Sequence, residues 1–443
     1  MSPRLAYIHR VTRRALEFGS AVLLTGLLAG VAGAATVSLL HAVEHLAYHY
    51  SYGLLLDGIG ASSPVRRALA PAIGGALAGL GWWILRRRCG TPSLSATIAG
   101  KKPMQHLPMA ADAALQALAV GTGASLGRET APRQLAAVLS SYGTTWLGRL
   151  TSSTLGTLTA RDREILLSCA AGAGLGAVYS VPLGGAFFAA RVMMGTWHPK
   201  VVGTALITSS LAVAVSHPVT HFERDLTWPD PALSYQFTML ALAIAPLAVV
   251  IGLTFNRLMT SAGPKPQLTS WLLIPGVALA GLVTGICSIY RPELPGNGRS
   301  VLIVSVDAQL SLAAAAVLLV LKPLLTALYL RVGAVGGLIT PALATGAAAG
   351  TVATFALNGL ADTHLHVPAV ALTCAAGVLA ITQRAPAFAA LFVWELAHPP
   401  IWLLLVFAVA AYSSHGIRLL RVQSAARAKT TEPKPAHKQL RGP

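Results

Sequence analysis

Long apolar runs decide what this chain can become. They cover approximately residues 17–42, 65–86, 109–125, 163–181, 200–216, 235–259, 270–290, 308–331, 341–360, 367–382 and 399–421. They are rich in Ala and Leu and are bounded by polar or Gly/Pro punctuation. A helix advances about 1.5 Å per residue, so about 20 apolar residues cross a hydrocarbon core of about 30 Å. A membrane β-barrel would instead alternate its polarity over segments of about 10 residues. The runs therefore predict an all-α polytopic membrane protein. Composition agrees: 54% of the 443 residues are hydrophobic and 11% are charged, against about 25% charged in soluble domains. So little polar surface cannot coat a soluble particle, and so much apolar character excludes disorder.

The net charge of +18 is placed as a membrane protein places it, not as a nucleic-acid binder does. Arg4, Arg10, Arg13 and Arg14 precede the first run, and Arg86, Arg87 and Arg88 follow the second. Arg418, Arg421, Arg427, Lys429, Lys434, Lys438 and Arg441 crowd the end of the chain against the single acid Glu432. Lys and Arg resist translocation, so residues 1–16 and the basic tail 422–443 are expected in the cytoplasm, the tail disordered. The stretch Ala21–Leu40 is long enough to span and does not read as a cleavable signal peptide. With no soluble regulatory region after the tail, a bacterial inner membrane is the expected location. The cysteines Cys89, Cys169, Cys287 and Cys374 have no metal or disulfide spacing. There is no P-loop, nucleophile triad, haem or flavin motif, so neither a cofactor nor an enzymatic activity is expected. His41, His45 and His49 share a helix face with Glu44 nearby; a polar interfacial stripe is the simpler reading, and a metal site the weaker one. Trp82, Trp83 and Trp271 read as interfacial anchors.

The chain repeats itself. Cys169-Ala-Ala-Gly172 leads to Pro182, and Cys374-Ala-Ala-Gly377 leads to Pro386, the two prolines lying 204 positions apart. GASLGRETAP, ending at Pro132, and GAVGGLITP, ending at Pro341, form a second pair 209 apart. Two pairs in the same order at nearly one offset define homologous halves, about 65–217 and 235–421. Between the long runs lie apolar pieces of about 10 to 15 residues, too short to span alone, so helices are expected to stop within the membrane. Repeats with broken helices belong to transporters whose substrate site lies near the midplane.

The breaks are where chemistry is expected. CGTP (Cys89–Pro92), GRETAP (Gly127–Pro132) and GGLITP (Gly336–Pro341) each set glycine before a proline suited to a first helical turn. A helix beginning there leaves about four N–H groups unpaired. An anion satisfies them, helped by the helix dipole; a kink closed by neighbouring helices is the plainer alternative. Glu129 is an acid at such a helix start amid long apolar sequence. There its carboxylate can occupy an anion site as a tethered ligand and leave when protonated, unless it is permanently paired with Arg128.

GASLGRETAP, GGLITP and the Pro-centred YSVPLGGAFF resemble, in order, the signature segments of the CLC family of chloride channels and chloride/proton antiporters; GNG at Gly296–Gly298 is similar to a further family segment. The resemblance runs over about residues 20–421. It implies a homodimer with one anion pathway per subunit, each subunit built from two inverted-topology repeats of tilted, broken helices within a transmembrane domain at 17–421. It implies that Glu129 is the gating glutamate and that Leu338, Ile339 and Thr340 form the anion-coordinating loop. Cys89 and Gly90 then fall where an anion-coordinating serine loop is common, with Arg128 and Thr130 flanking the gate. The inward-facing proton glutamate of the antiporters, ten residues after Pro182, is replaced by Val192 beside Arg191. The antiporters' central tyrosine near the C-terminus has no match, Tyr412 being the last tyrosine. Glu395 takes the repeat position matching Arg191, with Arg384 as an ion-pair candidate.

The function expected is therefore transport of chloride or a similar small anion, gated by Glu129 and, because of Val192, passive and channel-like. The alternatives are a proton-coupled chloride antiporter, an exporter of another anion, and, from another class, a non-conducting membrane scaffold or sensor. The lipid bilayer is the expected surrounding partner and nucleic acid is not.

Overall fold

A computed structural model describes residues 3–50, 53–90, 93–150, 158–220, 235–263, 270–308, 310–361 and 363–431. The elements of the described residues are helices: α1 (Pro3–Tyr48), α2 (Leu55–Ala61), α3 (Pro64–Cys89), α4 (Leu94–Ile98), α5 (His106–Gly121), α6 (Thr130–Leu150) and α7 (Ala160–Tyr179) come first. Then α8 (Pro182–Phe187) runs into a π-helical turn at Phe188–Met193 and is followed by α9 (Pro199–Thr220). The second half holds α10 (Tyr235–Ala262), α11 (Leu273–Tyr290), α12 (Arg299–Val306), α13 (Leu312–Arg331), α14 (Ile339–Ala361), α15 (Val367–Gln383), α16 (Pro386–Ala397) and α17 (Trp402–Thr431). Among the described residues, 8 helices are long and apolar enough to cross a membrane. The expected runs at 109–125 and 163–181 became α5 and α7, which are not among those 8. From Ile165 on, α7 is buried nearly all round, so its small residues meet other helices rather than lipid.

Local chemistry explains the helix ends. Ser63 caps α3 ahead of Pro64, and Ser311 caps α13. Thr159 and Asp162 form a reciprocal capping box at the start of α7. Packing follows small residues. Along the α3–α11 contact a Cβ at Gly75 would lie 2.6 Å from the Val277 carbonyl oxygen, and one at Gly79 would lie 3.1 Å from the Ile274 Cα. Association in lipid depends on such close approach, because lipid tails are as apolar as the side chains they touch. The largest apolar cluster joins α7, α8, α14, α15, α16 and α17 around Tyr179, Phe188, Phe388 and Phe392.

Backbone geometry repeats with the sequence. Ser180 (φ 54°) ends α7 and Arg384 (φ 57°) ends α15, both left-handed. Val181 (φ −120°, ψ 78°) and Ala385 (φ −138°, ψ 81°) then lead into Pro182 and Pro386. The conformation suits residues that precede proline, which are pushed out of the helical region. The other repeated pair meets directly: Gly127 and Gly337 exchange backbone hydrogen bonds of 2.8 and 2.9 Å as an antiparallel bridge. Antiparallel pairing is what an inverted repeat produces where its halves touch.

Two expectations need revision. Trp82 is fully buried and donates from Nε1 to Asp112 Oδ1 at 2.9 Å, so it is a core hydrogen-bond donor rather than an interfacial anchor; Trp271 is exposed. Helix α17 continues to Thr431, past the boundary expected at Arg421, because QSAARAK is rich in good helix formers.

Candidate functional site

The bridge between Gly127 and Gly337 sets the start of α6 beside the start of α14. Glu129, one residue before α6, is fully buried. Its Oε1 accepts from the Ile339 backbone N–H at 2.6 Å. Its Oε2 accepts from the Thr340 hydroxyl at 2.9 Å and, at a longer 3.4 Å, from the Tyr179 hydroxyl. The two hydroxyls lie 3.2 Å apart. The carboxylate thus fills a cradle made by one helix N-terminus and two side-chain hydroxyls, as a helix N-terminal anion site allows, and the charge of the buried Arg133 guanidinium acts on it as well.

Surrounding groups fix this cradle. The Arg128 guanidinium lies over the Tyr179 ring, 4.9 Å from its centroid, and Phe392 meets the same ring edge-on at 5.6 Å. Arg133, one turn into α6, lies 4.4 Å over the Phe188 ring. The carboxamide of Asn297 lies near the Tyr179 hydroxyl, and its Nδ2 is buried without a hydrogen-bond partner. Asn297 is held by a turn with left-handed glycines on both sides, Gly296 (φ 73°) and Gly298 (φ 98°). The fully buried Lys322 donates from Nζ to the Leu294 and Gly296 carbonyls at 2.8 and 2.7 Å. A buried ammonium bound by carbonyls thereby anchors the turn that carries Asn297.

Access comes from the end where α1 finishes. A cavity of about 570 Å³ is lined by Arg128, Tyr179, Arg299, Thr340 and Glu395, so it reaches two donors of the cradle. A second, of about 420 Å³, is lined by His41, His45, Glu44, Arg128, Asn297 and Arg299. Arg128 and Arg299 line both, with Glu44 on the smaller cavity and Glu395 on the larger.

The structure brings Glu129, Arg128, Ile339 and Thr340 together, with Leu338 and Thr130 half-buried at the ends of the two loops. Cys89 is exposed at the last turn of α3 and Gly90 (φ 70°) caps that helix; Thr91 and Pro92 lie outside the described residues. Val192 sits in the π-helical turn, packed against the main apolar cluster, and the Arg191 guanidinium lies 4.8 Å over Trp197. Glu395 does not depend on Arg384: it accepts from the Leu183 and Gly184 backbone N–H groups at 2.9 and 2.5 Å. These are orphan donors at the start of α8, which a carboxylate satisfies well. In the histidine stripe, His45 Nδ1 lies 2.6 Å from the Tyr50 carbonyl, and the Tyr50 hydroxyl donates to Glu44 at 2.7 Å. Among the described residues no group of three or more His, Cys, Asp and Glu could hold a metal ion.

Sequence reasoning missed Tyr179 and Asn297. Tyr179 had one visible signal: it stands three residues before Pro182, where the second repeat has Gln383. It also missed Asp112, a buried acid that accepts from Trp82, from Gln116 at 2.8 Å and from Gln134 at 3.1 Å. Gln134 lies five residues along α6 from Glu129, a rise of about 7.5 Å.

A family model described as voltage gated chloride channel matches residues 80–417. The chain is similar to the voltage-gated ClC-type chloride channel ClcB of Escherichia coli O81 (strain ED1a), with 28% identity over 388 residues covering 84% of this chain and 89% of that one. It is also similar to a ClcB-like chloride channel protein of Ralstonia nicotianae, with 30% identity over 345 residues covering 74% and 77%. In fold it matches a slow cyanobacterial chloride/proton antiporter with a TM-score of 0.73 and 20% identity, over 93% of this chain and 99% of that one. A CLC-type fluoride/proton antiporter matches with a TM-score of 0.67 and 20% identity, over 90% and 94%.

Proposed function

The chain belongs to the CLC family of chloride channels and antiporters, whose work is anion transport across the membrane, and on that premise we propose that it moves chloride along a pathway gated by Glu129. One observation carries this reading: a carboxylate fully buried in a cradle of neutral donors, two of which line a cavity of about 570 Å³. The donors that hold the carboxylate suit chloride equally, because both are singly charged acceptors. Protonation or displacement of Glu129 frees Ile339 N–H, the Thr340 and Tyr179 hydroxyls and, beside them, the spare N–H of Asn297. A site of neutral donors releases its ion quickly, as conduction requires.

Val192 supports a passive pathway, since an alkyl side chain carries no proton. A second reading, proton-coupled exchange, has support from Asp112, a second buried carboxylate joined to α6 through Gln134. A relative named as a chloride channel and fold neighbours described as antiporters fall on the two sides of this question. In either case we infer a homodimer in a bacterial inner membrane, with both termini cytoplasmic and the two cavities outside. The basic clusters that flank the first and last spans support that orientation.

Simultaneous chloride and proton flux from purified protein in liposomes, driven by a chloride gradient, separates the readings. Chloride efflux without proton movement is the result expected from Val192. Stoichiometric proton movement that vanishes in Asp112→Asn establishes exchange, and absence of chloride flux overturns the assignment of chloride.

A further inference from the structure

At the end of the molecule opposite the two cavities, helices α10 and α17 and the cap of α15 enclose a cleft of about 630 Å³ lined by Arg257, Arg384, Arg418 and Arg421, with Asn256, Thr260 and Ser261 completing its polar wall. Arg384 is brought there by its left-handed conformation at the end of α15. None of the four makes an ion pair with a carboxylate among the described residues. Four like charges on three separate elements repel one another across a shared space, which is unfavourable unless something anionic lies between them. All four are arginine. The guanidinium is a planar fork that grips tetrahedral oxyanions through paired N–H groups, whereas a monatomic ion gains nothing from that geometry. The Asn256 carboxamide adds a neutral donor of the kind that completes phosphate recognition, while the hydroxyls of Thr260 and Ser261 donate within α10, to the Asn256 and Leu258 carbonyls at 2.7 and 2.9 Å.

The position narrows the ligand further. Leu253 and Val422 give the cleft an apolar border, and Leu419, Leu420 and Val422 on the same turns of α17 are exposed. Headgroup-binding pockets between transmembrane helices have this composition, a basic floor at the ends of spans with acyl-compatible walls. We propose that this cleft binds a phosphate-bearing anion, the phosphodiester headgroup of an anionic phospholipid or a free phosphate of the same chemistry, independently of the anion pathway.

The test uses the full-length protein and the double variant Arg418→Gln/Arg421→Gln, with Arg88→Gln, outside the cleft, as control. In one arm, native mass spectrometry measures retention of phosphatidylglycerol against phosphatidylcholine on protein released from mixed vesicles. In the other, thermal stability is titrated with inorganic phosphate at constant ionic strength. The wild type and the control retain the anionic lipid, and the double variant loses on the order of tenfold in affinity, at about a few-fold per arginine near a charged headgroup. Stabilisation by phosphate alone, absent in the double variant, identifies the soluble form as the ligand. Equal lipid retention and equal phosphate response in all three proteins overturn the proposal. Should the double variant not fold, Arg421→Gln alone, on an exposed side chain, gives the same contrast at a few-fold.

Discussion

Glu129 and Tyr179 show how one residue's chemistry depends on its neighbour's. The carboxylate takes its short bonds from Ile339 N–H and the Thr340 hydroxyl, and the Tyr179 hydroxyl stands farther off at 3.4 Å. That spacing suits a donor shared between the tethered carboxylate and a larger incoming ion. Tyr179→Phe on a Glu129→Gln background, where the cradle is open to ions, should weaken chloride binding about tenfold, the low end for a hydrogen bond to a charged partner. Isothermal titration of the two proteins checks this, and equal affinities would remove Tyr179 from the site. At this scale Glu129 was legible because an acid at a helix start in apolar sequence has few innocent explanations. Tyr179 was not, since a tyrosine before a proline reads as packing, and only the meeting of α7 with α14 makes its hydroxyl a donor.

Among the elements, short helices that begin inside the molecule must have their first N–H groups met. The start of α8 is met by Glu395, which arrives from the end of α16, the repeat-related helix. Glu395→Ala leaves the Leu183 and Gly184 donors without an acceptor and should cost about 1–3 kcal/mol, more than a surface cap, because the site is buried. Glu395→Gln, keeping one acceptor oxygen, should cost less. Thermal unfolding in detergent ranks the three proteins, and an unchanged midpoint for the alanine variant would mean that the α8 donors find another partner. The long runs and the repeated prolines were readable because apolar length and Pro/Gly breaks are properties of single segments. The partner of Glu395 was not, because pairing by sequence charge points to Arg384, whereas the fold offers backbone N–H groups. The interior setting of α7 was hidden for a similar reason: a run of Ala and Gly looks the same whether it faces lipid or helices.

Across the whole molecule, charge is sorted to the two ends. At the end where α1 begins, Asp162 joins three elements: it completes the α7 capping box and pairs with Lys200 and, at 3.5 Å, with Arg14. Burial alone would raise its pKa, but hydrogen bonds from Lys200 and Thr159 and the charge of Lys200 outweigh that and hold it down at about 2. A carboxyl depressed on folding stabilises the fold above its unfolded pKa, near 4, and that contribution fades as pH falls toward 2. Asp162→Asn should therefore lower stability at pH 7 by about 1 kcal/mol, and the difference from the wild type should shrink below about pH 4 and close only as pH falls to about 2. A difference that persists unchanged at pH 2.5 would contradict the linkage. At the other end Arg128 and Arg299 line the two cavities that lead to the cradle, where Glu129 is proposed to gate. The most direct test of that role is chloride efflux from liposomes, wild type against Glu129→Gln, measured from pH 4.5 to 7.5. The wild-type rate should climb as pH falls, while the variant, carrying a permanently neutral amide, should be fast and flat. A variant that keeps the wild-type pH dependence would show that Glu129 is not the gate.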